Sequence, residues 1–423
     1  MEHDLVLEGK VVTPGGILET GMGISDGVIR EFGRSLKGSR KIAAEGCYIF
    51  PGFIDIHVHL REPGQERKED FRTGSAAAVH GGVTTMVDMP NNPIPADTPE
   101  ALDLKTRLAK AKATVDVKFH GGIPRRQEDL TGISSRVAGY KLYLSETTGA
   151  VRFPVDKVPE VFKLVAATGR PLSLHCEDQD VIDRVRLRTG AETGPDAVAD
   201  QRPPEAEVES IRTVLLTLKG EPELRANVCH ASTRESVSLV RMAREKGLKA
   251  SCEAALHHLY FTRRSLLENR LLRTNPPLRG EEDRAALIQG LKDGTVSFLV
   301  TDHAPHLEEE KRAEGLAGVP GLDDFAHLVS WLVKREGVDP ATIGMVAAAN
   351  PARHLNFSDR GELAPGMRAD VTVVDLHSPE VVRNDGVRSK CGWSPYQGRE
   401  FPGRARWVIR KGELLMDEFE QVS

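Results

Sequence analysis

The chain has 423 residues, with 57 lysines and arginines against 62 aspartates and glutamates and a formal net charge of −5. Mild acidity, few aromatic residues and no interleaving of basic with aromatic positions argue against nucleic acid or a membrane surface as partner, leaving a small molecule. Five scattered cysteines without a Cys-x-x-Cys pair argue against a disulfide framework, and Met-Glu-His-Asp lacks the basic-then-apolar start of a secretion signal, so a soluble cytoplasmic protein is expected.

From Asp4 to about Phe50, short β-like runs (Leu5-Val-Leu7, Lys10-Val-Val12, Val28-Ile-Arg30) are broken by glycines and predict a small antiparallel sheet with hairpins. The C-terminal end has the same style, with an alternating strand at Asp370–Asp375 and another at Arg406–Arg410. Residues 1–50 and 355–423 are therefore expected to build one small β domain, a sandwich, around a different middle at 51–354.

That middle alternates strands with helices. The strand candidates are Phe53–Leu60, Thr84–Met89, Val115–His120, Tyr140–Leu144, Pro171–His175, Ala226–Cys229, Leu248–Cys252 and Val296–Thr301. Thr98-Pro99 offers a helix cap and a first-turn proline, Ser232-x-x-Glu235 fits a capping box, and Gly247 marks that helix's end. Pro204–Leu218 and Glu281–Leu291 carry apolar residues at helical spacing, whereas the link after the third strand offers only a short helix around Arg126–Ile133. Eight strands with crossover helices predict an α/β fold, a (β/α)8 TIM barrel, with a doubly wound open sheet as the competing arrangement.

Polar reactive residues recur at the C-terminal ends of these strands. The first ends in His57-Val-His59, whose side chains share one face because strand residues two apart point the same way. Two imidazoles held side by side suit a borderline metal such as zinc, although a lone His-x-His is as often a packed core pair. Lys141 lies in the fourth strand among Tyr140, Leu142 and Tyr143, where an ammonium without a partner is costly. His175, His230 and Asp302 close the fifth, sixth and eighth strands. In a barrel these ends meet at one mouth, and two divalent ions among four neutral histidines would call for anions, which Asp302 and a carbamylated Lys141 could supply.

This set resembles the metal ligands of the amidohydrolase superfamily, and within it the chain resembles class I dihydroorotases. The likeness runs through His57-Val-His-Leu-Arg-Glu-Pro-Gly64, Gly82–Asn92, Asn275-Pro-Pro-Leu-Arg279, Thr301-Asp-His-Ala-Pro-His306 and Lys390–Tyr396. It implies two zinc ions bridged by carbamylated Lys141 and a hydroxide, with His57, His59 and Asp302 on one ion and His175 and His230 on the other. It also implies that Arg61 and Asn91 bind a substrate carboxylate, that Asn275 and His306 touch substrate, and that the Pro320 and Gly321 backbone meets the pyrimidine ring. A guanidinium fork suits a carboxylate because it makes two parallel charge-assisted hydrogen bonds.

The implied reaction interconverts N-carbamoyl-L-aspartate and L-dihydroorotate in pyrimidine synthesis, with Asp302 moving the proton. An allantoinase or a hydantoinase/dihydropyrimidinase would share the metal set but leave Arg61 without a task, and a non-catalytic scaffold would have no need of six filled ligand positions. Homodimer formation and docking on aspartate carbamoyltransferase, as in some relatives, are the assemblies to test. His80, His257-His258 and His303 are expected to be structural or to act behind the ligands, and the stretch from His306 to Pro320 to form a loop over the mouth.

Overall fold

The computed structural model describes residues 2–124, 129–147, 152–190 and 199–422. Eight parallel strands form its central sheet: β5 (Phe53–Val58), β6 (Val83–Asp88), β7 (Asp116–Gly122), β8 (Gly139–Tyr143), β9 (Leu172–His175), β10 (Ala226–Val228), β11 (Ala250–Ala255) and β12 (Phe298–Val300). They neighbour one another in sequence order, and the sheet closes where Val58 bridges His303 in parallel and the His59 amide donates to the His303 carbonyl at 2.7 Å. Every residue of β5, β6, β8 and β9 is buried, as expected of parallel strands covered on both faces. The fold is the expected TIM barrel.

Most crossover helices stand where the sequence puts them. Thr98 caps the helix Pro99–Lys112, Pro204–Leu218 is helical throughout, and Glu281–Lys292 runs one residue past its predicted end. The expected Ser232 capping box is displaced by one residue. Thr233 caps the helix Arg234–Glu245 by accepting from the Ser236 amide, because the Ser232 amide and hydroxyl are both taken by buried Glu207. After β7 the helix is the single turn Leu130–Ile133; residues 126–128 of the expected segment lie outside the described residues.

The second sheet unites both chain ends: β1 (Glu2–Thr13), β2 (Gly16–Ser25), β3 (Val28–Gly33), β4 (Lys37–Pro51), β13 (Val371–Asp375), β16 (Arg404–Arg410), β17 (Glu413–Asp417) and β18 (Glu420–Gln421). A separate two-stranded ribbon pairs β14 (Glu380–Val381) with β15 (Glu400–Phe401). Two sequence expectations change here. β1 and β4 run parallel, because the β2–β3 hairpin grows on one side of β1 and the chain returns along the other. The strands are also long, since the glycines taken for breaks lie inside them. A Cβ on Gly9 would sit 2.8 Å from the Ala44 carbonyl oxygen, and one on Gly23 would sit 2.5 Å from the His3 ring, so these positions are bare because neighbours press against them.

One residue, Gly52, separates β4 from β5, and a side chain there would collide with Thr84 at 2.3 Å. At the N-terminal end of the barrel, Asp116 of β7 gathers Arg360, Arg368 and Arg410, with Nη1–oxygen distances of 2.6, 2.7 and 3.7 Å. The pairing holds its carboxyl down to about 2, against the upward push of burial.

Candidate metal centre

The strand ends converge as the sequence predicts. His57, His59, Arg61, Asn91, Lys141, His175, His230, Asn275 and Asp302 all line one cavity at the C-terminal mouth of the barrel, together with Tyr143, Thr147, Ala304, Ala317 and Gly318. Pro320 and Gly321 are outside that lining. The Gly321 amide faces inward instead, donating to His303 Nδ1 at 3.1 Å, and the backbone reaching the cavity belongs to Ala317 and Gly318.

The histidines are oriented from behind. His57 Nδ1 lies 2.7 Å from Glu253 Oε2, and His59 Nδ1 lies 2.8 Å from Asn91 Oδ1. With those nitrogens donating, the Nε2 lone pairs of both rings face Asp302 Oδ1, each at 3.3 Å. On the far side, Glu177 Oε2 takes His175 Nε2 at 2.8 Å, turning His175 Nδ1 toward His230 Nε2 at 3.0 Å. Burial, then the nearby Lys141 charge, holds His57 well below the ordinary histidine range; burial, then His175, does the same for His230. Burial also lowers His59 and His175 despite their carboxylate neighbours. Four neutral imidazoles, three of them with the outer nitrogen held by Glu253, Asn91 or Glu177, are what a divalent metal takes as ligands.

Burial pushes the Asp302 carboxyl up, but the surrounding His59, His257 and Lys141 outweigh it and hold it below the ordinary carboxylate range. Ligand atoms of His57, His230 and Asp302 lie within 4.8 Å of one another, and so do those of His57, Cys229 and Glu253. The donor set therefore fits a borderline cation such as zinc. Lys141 is 1% exposed; its Nζ sits 2.7 Å from Cys229 Sγ and 5.1 Å from the Tyr143 ring centroid. Among the described residues no carboxylate forms an ion pair with it.

Beside the ligands, Arg61 is 5% exposed, and no carboxylate among the described residues forms an ion pair with it. Its Nε donates to the Pro305 carbonyl at 3.1 Å, and burial lowers its pKa only to about 10, so it stays cationic. His306 lies behind it. Lys68 Nζ reaches His306 Nδ1 at 3.1 Å, which leaves the ring proton on Nε2, 3.2 Å from the Ala317 carbonyl and from Arg61 Nη2. Burial, then Arg61 and Lys68, keep this ring neutral. Asn275 Oδ1 and the Tyr143 hydroxyl are buried without partners among the described residues, so the cavity wall offers one acceptor and one hydroxyl to a ligand. Arg61, His230 and Asp302 all have positive φ, at 61°, 35° and 47°, a conformation that non-glycine residues adopt at a cost and that clusters at working sites.

Sequence reasoning missed the supports. Glu253, Glu177, Tyr143 and Cys229 do not form a pattern with their partners along the chain, although each lies on or just beyond a barrel strand. His303 acts behind the ligands as expected, fixed by Glu69 at 3.3 Å and by the Gly321 amide. His257 and His258 are buried after β11 and do not line the cavity, and His80 pairs with Asp323 at 3.4 Å away from it. The stretch after His306 is more ordered than the loop expected: Glu308–Glu314 is a helix whose Lys311 turns inward.

Comparison with known proteins agrees with this architecture. The chain is 36% identical over 411 residues to a dihydroorotase of Methanothermobacter thermautotrophicus, covering 94% of this chain and 93% of that protein. It is 33% identical over 425 residues to a dihydroorotase of Pyrococcus furiosus (99% and 94% covered), and 33% identical over 438 residues to an allantoinase of Rubrobacter xylanophilus (99% and 96% covered). The solved L-hydantoinase of Arthrobacter aurescens superposes with a TM-score of 0.95 over 100% of this chain and 98% of its own, at 23% identity, a likeness of fold alone. The family profile described as "Amidohydrolase family" matches residues 48–415, and with that span, which takes in all eight barrel strands, the end of β4 and the strands β13 to β16, the chain belongs to the amidohydrolase family.

Proposed function

We propose that the protein is a dihydroorotase, interconverting N-carbamoyl-L-aspartate and L-dihydroorotate in pyrimidine synthesis. The observation that carries this reading is Arg61: a buried guanidinium with no carboxylate ion-pair partner among the described residues, in the wall beside the histidine cluster. Such a group is costly to bury unless the ligand brings the missing anion. Dihydroorotate has a ring carboxylate; hydantoins and allantoin have none.

We assign His57, His59 and Asp302 to one zinc ion and His175 and His230 to a second, with carbamylated Lys141 between them. When bound, zinc supplies Lewis acidity toward a carbonyl oxygen and acidifies water. The protein's own groups do the rest. Arg61 holds the ring carboxylate, and Asn91 braces His59 while facing the same cavity. Asn275 Oδ1 accepts from a ring N–H, and Ala317 and Gly318 take the backbone role expected of Pro320 and Gly321. In hydrolysis Asp302 accepts the proton of the attacking water and delivers it to the departing ring nitrogen; in cyclisation it takes the ureido proton. His306 stands behind Arg61, its Nε2 proton going to the Ala317 carbonyl of the cavity wall.

The reading extends to a chain divided at 1–50, 51–354 and 355–423, working in the cytoplasm as a homodimer or docked on aspartate carbamoyltransferase. No helix among the described residues is long and apolar enough to cross a membrane. The test is turnover by zinc-loaded protein at mildly acidic pH, with N-carbamoyl-L-aspartate and dihydroorotate set against hydantoin, dihydrouracil and allantoin. Absence of carbamoyl-aspartate cyclisation, or faster turnover of a ring lacking a carboxylate, would overturn it.

A further inference from the structure

The helix Glu308–Glu314 carries a lysine with an unusual set of partners. Lys311 is 4% exposed, yet no carboxylate among the described residues forms an ion pair with it. Its Nζ donates instead to three backbone carbonyls: Arg273 at 3.2 Å, Leu316 at 2.9 Å and Gly318 at 2.5 Å. Three acceptors use all three protons of an ammonium, and a neutral amine can serve only two. Two of the carbonyls lie on the segment that ends in the cavity wall at Ala317 and Gly318. The third is two residues before Asn275, which lines the same cavity. The Gly318 amide also donates to the Arg273 carbonyl at 2.9 Å, so the ammonium closes a knot between the two segments.

We propose that Lys311 is a positioning residue for substrate binding: its ammonium clasps the Leu316–Gly318 backbone to the Arg273–Asn275 segment and so sets the width of the substrate cavity. The inference rests on the substrate reading above. Gly318 has little freedom to compensate. Its φ is +126°, and a Cβ there would lie 2.6 Å from the Ala304 carbonyl oxygen, so the strand of backbone packs directly on another cavity-lining residue.

The surroundings of Nζ make the clasp sensitive to protonation. Arg273 approaches from the 270–275 segment, and Arg61 from the turn after β5 adds a second positive charge. Cys391 and the Trp393 ring, 5.9 Å from Nζ, face it from the C-terminal stretch. Leu271 and Val319 pack with Cys391 and Trp393 in one buried cluster, and the His306 and His257 rings also feel the Lys311 charge. On its own helix, the neighbouring acid Glu310 is engaged by Arg67 and Lys68. Burial, then Arg273 and Arg61, bring Lys311 down to about 7. The clasp is thus complete in mildly acidic solution and loses a donor as pH rises through neutrality.

The experiment compares zinc-loaded wild type, Lys311→Arg and Lys311→Met by KM and kcat for dihydroorotate from pH 6 to 8.5. The wild-type KM is expected to rise about tenfold across this range, with kcat changing less. Lys311→Arg, charged throughout, gives a flat KM profile relative to wild type, and Lys311→Met shows the raised KM already at pH 6. Trp393 emission supplies a readout without turnover: it titrates near pH 7 in wild type, and the transition is absent in Lys311→Met and in Trp393→Phe. Parallel KM profiles in wild type and Lys311→Arg, or a Trp393 transition that survives in Lys311→Met, would overturn the clasp. Should Lys311→Met fail to fold, wild type against Lys311→Arg decides by both readouts. If no variant turns over any carboxylated ring at any pH, the substrate reading fails, and the emission titration still decides whether Lys311 clasps the wall.

Discussion

Glu253 on the seventh barrel strand holds Nδ1 of His57 on the first at 2.7 Å, and that one contact selects which nitrogen of His57 faces the cavity. The same carboxylate accepts from Asn227 Nδ2 at 2.6 Å and the His230 amide at 3.2 Å, so it fixes parts of both proposed ligand sets. Replacing Glu253 with Ala should lower zinc affinity by roughly 10–100-fold, the usual cost of removing a group behind a metal-bound histidine. Metal competition followed by elemental analysis measures this. Wild-type affinity in the variant would show that His57 needs no support.

Arg61→Met should retain metal and raise KM for dihydroorotate steeply. Two lost hydrogen bonds between charged partners, at about 1.5–3 kcal/mol each, predict a loss in kcat/KM of at least about 100-fold. Metal content and thermal unfolding of the variant guard against a folding defect. Unchanged kcat/KM would remove the carboxylate from the reading.

Chelation should abolish turnover and lower the melting temperature, because the directed imidazoles and Asp302 then lose their common partner. Activity should return with zinc and bicarbonate together faster than with zinc alone, since the proposed carbamylation of Lys141 would have to be re-formed from carbon dioxide. Equal recovery with and without bicarbonate, in solutions cleared of carbon dioxide, would argue against the modification.

Stability should fall on the alkaline side through His327. Burial opposes its charge, but the Asp324 carboxylate 3.4 Å from one ring nitrogen and the Glu380 carboxylate hydrogen-bonded to the other at 2.9 Å raise its pKa to about 9. The folded value lies above the unfolded one of about 6.5, so the contribution is complete below about pH 6.5 and disappears as pH rises through about 9. Its size is about 3 kcal/mol by linkage. Thermal unfolding of wild type and His327→Asn should therefore differ most near pH 6 and converge by pH 10. A gap that stays constant over that range would refute the assignment.

The barrel was legible because its evidence is local: β-branched runs, helix caps, and reactive residues repeated at strand ends. His57, His59, Lys141, His175, His230 and Asp302 declare themselves by residue type and position alone. Their supports do not. Glu253 and His57 are 196 residues apart, and no spacing rule joins an acid on one strand to the back of a histidine on another. Lys311 was hidden for a different reason. In Leu-Glu-Glu-Glu-Lys-Arg-Ala-Glu, six charges in eight positions read as solvated chain, and only three-dimensional packing shows that Glu310 and Lys311 are buried. The parallel β1–β4 pair was missed because pairing direction depends on where the chain returns, which the strand composition does not encode.

The single residue between β4 and β5 has a consequence for how the molecule can be cut or rebuilt. The strand carrying His57 and His59 is the direct extension of one whose neighbours come from opposite ends of the chain, β1 on one side and β13 on the other. Gly52 is too closely packed on Thr84 to act as a loose joint. A barrel excised at residue 52 would start its metal-bearing strand as a frayed end, with nothing to hold its register. Both termini, far from the chemistry in sequence, are thus part of the foundation on which the first two imidazoles stand.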